Sequence, residues 1–290
     1  MKQLDEAMAD VQHALQIDPN NTMAITYRGM LHRYRHELPE AITDLDRALT
    51  LNPRDSFAFS QRGLTRLGMN ELDKALVDFD QALALNAQNE DARASRGLAL
   101  LMKGSAAEGM ADLNATLERN PTNSIAILGR GLGLLTTGQY DRAIVAFSQV
   151  IGRSGDDSLA RLMRARAYLG KNDLKSAGDD IDHVAQLRPS EPNVLTTGAL
   201  LNLARKDYGL AIEDLNRALA KQETVENYIA RARAYEGRND PARAAADYRR
   251  AASLAPRGVF DTIAQAQARE KVKQLSKKVP CAGGAESTCF

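Results

Sequence analysis

The amino-acid sequence predicts an all-α protein built from repeated pairs of antiparallel helices. One small residue recurs every 34 residues, first at Ala7, Ala41 and Ala75, and a second, beginning at Gly29, recurs with the same spacing; in both, the last step is 33. Prolines, which cannot continue a helix, close most copies at Pro19, Pro53, Pro121, Pro189 and Pro256. Because one helix pair cannot bury its own apolar face, copies of this kind stabilise each other by stacking.

Two columns of small residues mark where the two helices of each pair meet. The column in the first helices comprises Gly29, Gly63, Gly97, Gly131, Ala165, Ala199 and Ala232. The column in the second helices comprises Ala7, Ala41, Ala75, Gly109, Ala143, Ala177, Ala211 and Ala244. Small side chains at both positions let paired helices approach closely. A short polar break at 36–40 is the turn expected between them.

The helix ends and the buried faces are also marked in the sequence. Asparagine or aspartate precedes five first helices and suits the N-cap position; these residues are Asn21, Asp55, Asn89, Asn123 and Asp157. The second helices carry a column of large, mostly apolar residues, namely Val11, Leu45, Phe79, Leu113, Phe147, Ile181, Leu215 and Tyr248. This column predicts the helix face that packs into the core.

The composition excludes several classes of protein. The 290 residues include 38 basic and 37 acidic side chains, which give a net charge of +1. That balance lacks the basic field of a nucleic-acid binder. The sequence has no run of 18 apolar residues that would predict a membrane span, and its first residues are too charged for a secretory signal. We therefore expect a cytoplasmic protein that does not insert into a membrane.

The sequence resembles the tetratricopeptide repeat family over residues 1–258. The resemblance rests on the period, the two columns of small residues, the column of large residues and the closing prolines. The resemblance implies a right-handed superhelical solenoid of antiparallel helix–turn–helix repeats. It also implies a concave face that is lined by the first helices and holds ligand peptides. One departure concerns the residue before the first small position, which is usually aliphatic in the family and is Arg here in six of seven copies.

The repeat register predicts a solenoid, a capping helix and a tail. Residues 1–21 form a half repeat that has only the second helix of a pair. Seven full repeats follow, at 22–55, 56–89, 90–123, 124–157, 158–191, 192–224 and 225–258. We expect 259–278 to form a polar, basic helix that caps the last repeat, and 279–290 to be a flexible tail.

The half repeat leaves Leu4, Val11 and Leu15 without their natural partner helix. Three explanations are open at this point. Another segment covers these side chains, or the chain is the C-terminal part of a longer protein, or copies self-associate through this N-terminal edge.

Two columns of opposite charge run through the repeats. The basic column comprises Arg28, Arg62, Arg96, Arg130, Arg164 and Arg231. The acidic column comprises Asp10, Asp44, Asp78, Asp112, Asp180, Asp214 and Asp247. Each arginine can pair with the aspartate of its own repeat or of the preceding repeat, and both schemes give five pairs because Ala146 and Gly198 interrupt the columns. We expect an internal ion-pair ladder that sets register rather than a ligand site.

The resemblance places the candidate binding residues one and four positions after the small residue of each first helix. They are Met30, Arg33, Leu64, Leu67, Leu98, Leu101, Leu132, Leu135, Arg166, Leu169, Leu200, Leu203 and Arg233, followed by Glu236. Three successive repeats thus carry pairs of leucines bounded by arginines, and an exposed apolar patch of this kind indicates an interaction site. Alternatively, neighbouring first helices bury the leucines, or the chain's own tail fills the groove.

No catalytic, cofactor or metal site is predicted. The glycine-rich run at 129–133 falls inside a helix with no strand before it, so it does not indicate a dinucleotide loop. His32 and His36 have the spacing of two metal ligands on one helix face, but no third ligand is evident. Cys281 and Cys289 lie in the tail without CxxC spacing, where they form a small disulfide loop or stay reduced.

The function expected is that of a non-catalytic adaptor or scaffold that binds another protein through its concave groove. The ligand would be an amphipathic helix or an apolar segment, with acidic residues facing Arg33, Arg166 or Arg233. Buried leucines would supply the affinity and the arginines the orientation. The alternatives are a regulatory or recruiting part of a longer multidomain enzyme or secretion component, and a self-assembling structural module.

Overall fold

A computed structural model describes residues 2–154 and 157–278 of the protein, and this part of the chain contains 16 helices and no strand. The helices are α1 (Lys2–Ile17), α2 (Thr22–Tyr34), α3 (Leu38–Leu51), α4 (Ser56–Gly68), α5 (Leu72–Leu85), α6 (Glu90–Lys103), α7 (Ala106–Arg119), α8 (Ser124–Thr136), α9 (Tyr140–Ser154), α10 (Ser158–Gly170), α11 (Leu174–Leu187), α12 (Pro192–Arg205), α13 (Tyr208–Lys221), α14 (Val225–Gly237), α15 (Pro241–Ser253) and α16 (Val259–Lys278). The predicted tail at 279–290, with both cysteines, lies outside the described residues.

The chain divides into two compact units, 1–133 and 134–290. In unit 1 the pairs α2/α3, α4/α5 and α6/α7 pack within themselves, and the second helices α1, α3 and α5 each pack against the next first helix. In unit 2 the pairs α10/α11, α12/α13 and α14/α15 do the same, and α16 packs against both α14 and α15. The all-α repeat fold predicted from the sequence is confirmed.

The five predicted N-caps are all confirmed, because each side chain accepts a hydrogen bond from the first turn of its helix. The acceptors are Asn21, Asp55, Asn89, Asn123 and Asp157, at distances of 2.9–3.0 Å from the backbone N–H two or three residues on. These bonds satisfy N–H groups that have no partner inside the helix. The sequence therefore sets where these first helices begin.

Two helix backbones approach closely at Gly97 and Gly109, on α6 and α7. A Cβ added to Gly97 would lie 2.8 Å from the carbonyl oxygen of Gly109, and one added to Gly109 would lie 2.6 Å from the carbonyl oxygen of Gly97. Only glycine at both positions allows this spacing without a backbone shift. The small columns thus act as predicted, by letting the paired helices touch.

Residues in the left-handed region make the turn between the helices of several pairs. Five of them are not glycine, namely His36, Asn70, Asn172, Lys206 and Asn239. Asparagine adopts this conformation more readily than most residues, because its short polar side chain bonds locally. His36 thus has a structural role, and His32 contacts Glu37 through Nδ1 at 2.6 Å. Among the described residues no group of three or more His, Cys, Asp or Glu is arranged to hold a metal ion.

Arginines of the basic column join the two helices of their own repeat. In each case Nε and Nη2 donate hydrogen bonds to the carboxylate of the aspartate sixteen residues ahead, with donor–acceptor distances of 2.6–3.2 Å. The pairs are Arg28–Asp44, Arg62–Asp78, Arg96–Asp112, Arg164–Asp180 and Arg231–Asp247. The own-repeat scheme is therefore the one that the protein uses.

The third nitrogen of four of these arginines reaches the preceding repeat as well. Nη1 donates to Asp46, Asp80, Ser148 and Asn216 at 2.6–2.9 Å, two positions after the acidic column of that repeat. One guanidinium thus fixes three helices, and its hydrogen bonds to the aspartates raise the pKa of arginines such as Arg96. This bridging explains why Arg replaces the aliphatic residue that the family usually has there.

Candidate functional site

The predicted groove residues of unit 1 lie partly in the core. Met30, Leu64, Leu67 and Leu98 are half-buried. Leu64 and Leu67 pack against a buried cluster that includes Phe79. These side chains therefore offer only part of their surface to a ligand.

The sequence expectation of an exposed leucine pair is wrong for Leu101, which is 2% exposed. Its side chain fills space that two glycines leave open. A Cβ built on Gly109 would lie 3.0 Å from Leu101 Cγ, and one built on Gly133 would lie 3.6 Å from Leu101 Cδ1. The same expectation is wrong for Leu135, which is 7% exposed, while Leu132 is half-buried.

Arg33 and a pair of exposed aromatic rings also belong to the surface of unit 1. Arg33 donates to Gln61 at 3.2 Å and its guanidinium lies over the ring of Tyr34 at 4.6 Å. Exposed Tyr27 and Phe57 lie with ring centroids 5.7 Å apart. The sequence reading missed this aromatic pair, which was not part of the repeat columns used to find groove residues.

Unit 2 contains a concave pocket of about 620 Å³ that brings six of the predicted residues together. The predicted residues that line it are Leu135, Arg166, Leu169, Leu200, Leu203 and Arg233. The sequence reading missed the rest of the lining, which comprises Thr136, Tyr140, Gly170, Ala204, Tyr208, Glu226, Phe260 and Ile263. Apolar walls with a few charged groups are typical of a binding pocket.

The two tyrosines of the pocket occupy the same position of the repeat, which an alignment of the copies identifies. Tyr140 and Tyr208 are the first residues of α9 and α13. Each ring lies against the last residue of the next first helix, which is Gly170 for Tyr140 and Gly237 for Tyr208, where an added Cβ would come within 2.4 Å of the ring. The equivalent positions in unit 1 carry Leu38, Leu72 and Ala106, so the aromatic pair is particular to unit 2.

Arg166 differs from the exposed, ligand-facing arginine that the sequence reading expected. It is buried, at 9% exposure, and donates from Nη1 and Nη2 to the two carboxylate oxygens of Glu226 at 2.6 and 3.0 Å. Its guanidinium also lies 4.3 Å from the ring centroid of Phe260. The chain's own residues therefore already satisfy most of its charge.

Arg233 is accessible to solvent, as the sequence predicted. It is exposed, and its Nη2 donates to the neutral amide of Gln267 at 2.5 Å. Within the described ranges, 2–154 and 157–278, it forms no ion pair. Glu236, one turn further on, accepts from Tyr248 at 2.8 Å and from Lys271 at 3.1 Å, so its carboxylate is engaged. The pocket thus has one uncompensated positive charge at its edge.

Ile263 and Phe260 belong to α16, which closes one side of the pocket. The same helix also buries Ala264 and Ala268 against a cluster that includes Tyr228 and Tyr248. The first turns of α16 therefore form part of the pocket lining. The alternative that the tail at 279–290 fills the groove falls on residues outside the described part of the chain. Within the part of the chain that the structure describes, no helix is long and apolar enough to cross a membrane.

Comparisons with solved structures agree with this architecture. A tetratricopeptide repeat protein from Parabacteroides merdae ATCC 43184 shares 18% identity, with a TM-score of 0.60 over 86% of this chain and 98% of that one. The APC/C hetero-tetramer Cut9–Hcn1 shares 17% identity, with a TM-score of 0.69 over 80% and 46%. The human IFIT1 dimer with m7Gppp-AAAA shares 15% identity, with a TM-score of 0.63 over 86% and 68%.

Family models give the remaining evidence. A comparison with curated protein sequences finds no match. Models described as tetratricopeptide repeat match residues 60–124, 128–192 and 225–257, which together are more than half of the sequence. The chain belongs to the tetratricopeptide repeat family.

Proposed function

We propose that the protein is a non-catalytic adaptor that holds a segment of another protein in the concave pocket of unit 2. Tetratricopeptide repeats are in general a protein-interaction fold. The observation that carries the proposal is the pocket itself, where half-buried Leu169, Leu200 and Leu203 meet two tyrosines and two side chains of α16. The repeat itself does not require an aromatic residue at the two tyrosine positions, since the equivalent positions of unit 1 carry leucine or alanine.

The apolar walls can supply the affinity for such a segment. Ile263 is 42% exposed, and the three leucines retain part of their surface. Full burial of an exposed side chain of this kind contributes roughly 1.5–3 kcal/mol, and completing the burial of a half-buried one contributes a part of that. Arg233, at the edge of the pocket, orients an acidic residue of the partner. A charge at the rim of an interface affects the orientation of the ligand and the association rate more than the affinity.

The groove residues of unit 1 form a second contact region in this proposal. Met30, Arg33, Leu64, Leu67 and Leu98 remain partly exposed. The exposed ring pair of unit 1 adds area of the kind that is enriched at interfaces. Leu101 is left out, since its side chain is already in the core.

The test is affinity capture of partners by three forms of the full chain, namely wild type, Leu200→Glu and Leu210→Glu. Leu210 is 55% exposed and is not part of the pocket lining, so its substitution controls for the added charge. We expect a partner to be lost with Leu200→Glu and kept with Leu210→Glu, at equal helicity of all three proteins. Equal capture by all three would refute the pocket as the binding site.

Self-association through the N-terminal edge is a second candidate, favoured by one observation. On α1, Leu4, Val11 and Leu15 keep part of their surface, and Ile17 is 75% exposed, the largest value among the large apolar side chains of the described residues. A concentration-dependent dimer in light scattering that disappears with Ile17→Glu would support it. A monomer at all concentrations would exclude it.

A further inference from the structure

The pair Arg166–Glu226 crosses the concave face of unit 2. The two residues are 60 positions apart, on α10 and α14, and α12 lies between those helices in the repeat order. The ladder pairs, in contrast, are all sixteen positions apart. The bridge is therefore outside the repeat pattern, and it lies in the wall of the pocket.

The contacts of Arg166 show which chemistry its side chain recognises in this pocket. Two of its nitrogens hold a carboxylate in a bidentate pair, and an aromatic ring stacks on its flat face. The third nitrogen, Nε, is buried and has no hydrogen-bond partner. A buried N–H without an acceptor is costly, so Arg166 is not in its most favourable environment.

Glu226 and Phe260 are held together by Asp261. One carboxylate oxygen of buried Asp261 accepts from the backbone N–H of Glu226 at 2.8 Å, and the other accepts from that of Arg257 at 3.0 Å. This contact ties the first turn of α16 to the first turn of α14. Asp261 thus holds the carboxylate of Glu226 and the ring of Phe260 in fixed positions relative to each other.

The charges at the pocket favour an acidic ligand. Arg166 and Glu226 neutralise each other, and Arg233 is left without an ion pair in the described ranges. An incoming carboxylate is attracted by Arg233 and can then replace Glu226 on Arg166. Such an exchange keeps the buried arginine paired throughout, whereas simple rupture of the bridge would leave a buried charge alone.

We propose that Glu226 and Phe260 are internal stand-ins for a ligand on Arg166, and that the partner segment carries an acidic residue beside an aromatic one and displaces them. This inference rests on the proposed function, because it names the chemistry and the regulation of the same pocket. The bridge is closed in the free protein. The partner opens it by exchange of one carboxylate and one ring for another.

A fluorescence titration of the full chain tests this exchange. The chain has no tryptophan, so Phe260→Trp provides a single reporter that stacks on Arg166. The probe is 3-phenylpropionate, and the control probe is its neutral amide, 3-phenylpropionamide. We expect the carboxylate to bind at least fivefold more tightly than the amide and to shift the tryptophan emission as the indole leaves Arg166.

Substitutions of Glu226 separate exchange from a structural role. In the reporter background Glu226→Gln removes the internal competitor, so the affinity for 3-phenylpropionate rises at least threefold, whereas Glu226→Asp keeps a carboxylate and changes it less. Arg166→Gln abolishes the preference for the carboxylate probe. Equal binding of the two probes, or no gain with Glu226→Gln at unchanged helicity, would overturn the proposal.

The outcome for the bridge is separable from the outcome for the adaptor function. If Leu200→Glu loses its partner while the two probes bind equally, the pocket binds protein and the exchange proposal alone is wrong. If the probes discriminate as expected and no partner depends on Leu200, the exchange chemistry holds and the adaptor function is wrong.

Discussion

Arg96 grips Asp112 on the second helix of its own repeat through Nε and Nη2 at 2.7 and 2.8 Å, and the same guanidinium reaches Asp80 of the preceding repeat at 2.8 Å. One side chain therefore sets both the angle within a pair and the register between pairs. The four other own-repeat pairs show that this contact is a property of the array.

Arg96→Ala is expected to lower the stability of the protein. The substitution leaves Asp112, whose side chain is 14% exposed, without its bidentate partner, and stranding such a group costs about 1–3 kcal/mol. Thermal unfolding followed by circular dichroism measures the change. Arg249→Ala is the control, because Arg249 is exposed, and a melting temperature for Arg96→Ala no lower than that of this control would contradict the ladder.

Gly198→Arg is expected to stabilise the protein, because it completes the ladder at Asp214. An added Cβ at Gly198 meets nothing closer than Asp214 Oδ2 at 3.8 Å. Replacing glycine inside a helix contributes about 0.5–1 kcal/mol by itself, and Gly198→Ala isolates that part. A gain in urea midpoint no larger for Arg than for Ala would show that the guanidinium does not reach Asp214.

Asp214→Asn is expected to raise stability near neutral pH. Burial raises the pKa of the Asp214 carboxyl, and Asn202 and Arg217 contact it only at 3.2 and 3.4 Å. A carboxyl with a raised folded-state pKa destabilises the native state above that pKa, and the penalty disappears as the pH falls below the unfolded value.

The difference in unfolding free energy between Asp214→Asn and wild type should therefore shrink between pH 7 and pH 3. Urea unfolding at several pH values measures it. A difference that is constant over this range would mean that the Asp214 carboxyl does not cause the effect.

Leu101→Ala is expected to destabilise the protein more than Leu98→Ala does. Leu101 is 2% exposed, and truncating a fully buried leucine costs about 2–5 kcal/mol. Leu98 is half-buried on the same helix and has less burial to lose. Equal losses of stability in chemical denaturation would contradict the difference in burial between the two side chains.

The sequence predicts the fold well because its signals are local and repeated. Asn89 and Asp157 cap their helices as expected, and Gly97 and Gly109 meet where the small columns place them. Each of these contacts recurs in other copies of the repeat. Any one copy therefore supports the interpretation of the rest.

The site was harder to predict because its contacts do not repeat. Arg166 and Glu226 are 60 residues apart and follow no column, so no spacing argument could pair them. The burial of Leu101 depends on Gly109 and Gly133, one on each of the two helices that follow. The choice of aspartate for each ladder arginine was also open, because the spacing permits both schemes.

Photo-crosslinking from the pocket tests the central claim most directly. A photoreactive phenylalanine analogue replaces Leu203, which lines the pocket, in one form of the protein and the exposed Leu210 in another. We predict that one protein crosslinks reproducibly at position 203 and not at 210, through a segment that contains an acidic and an aromatic residue. Crosslinks of equal yield at both positions, or at 210 alone, would contradict binding in the concave pocket.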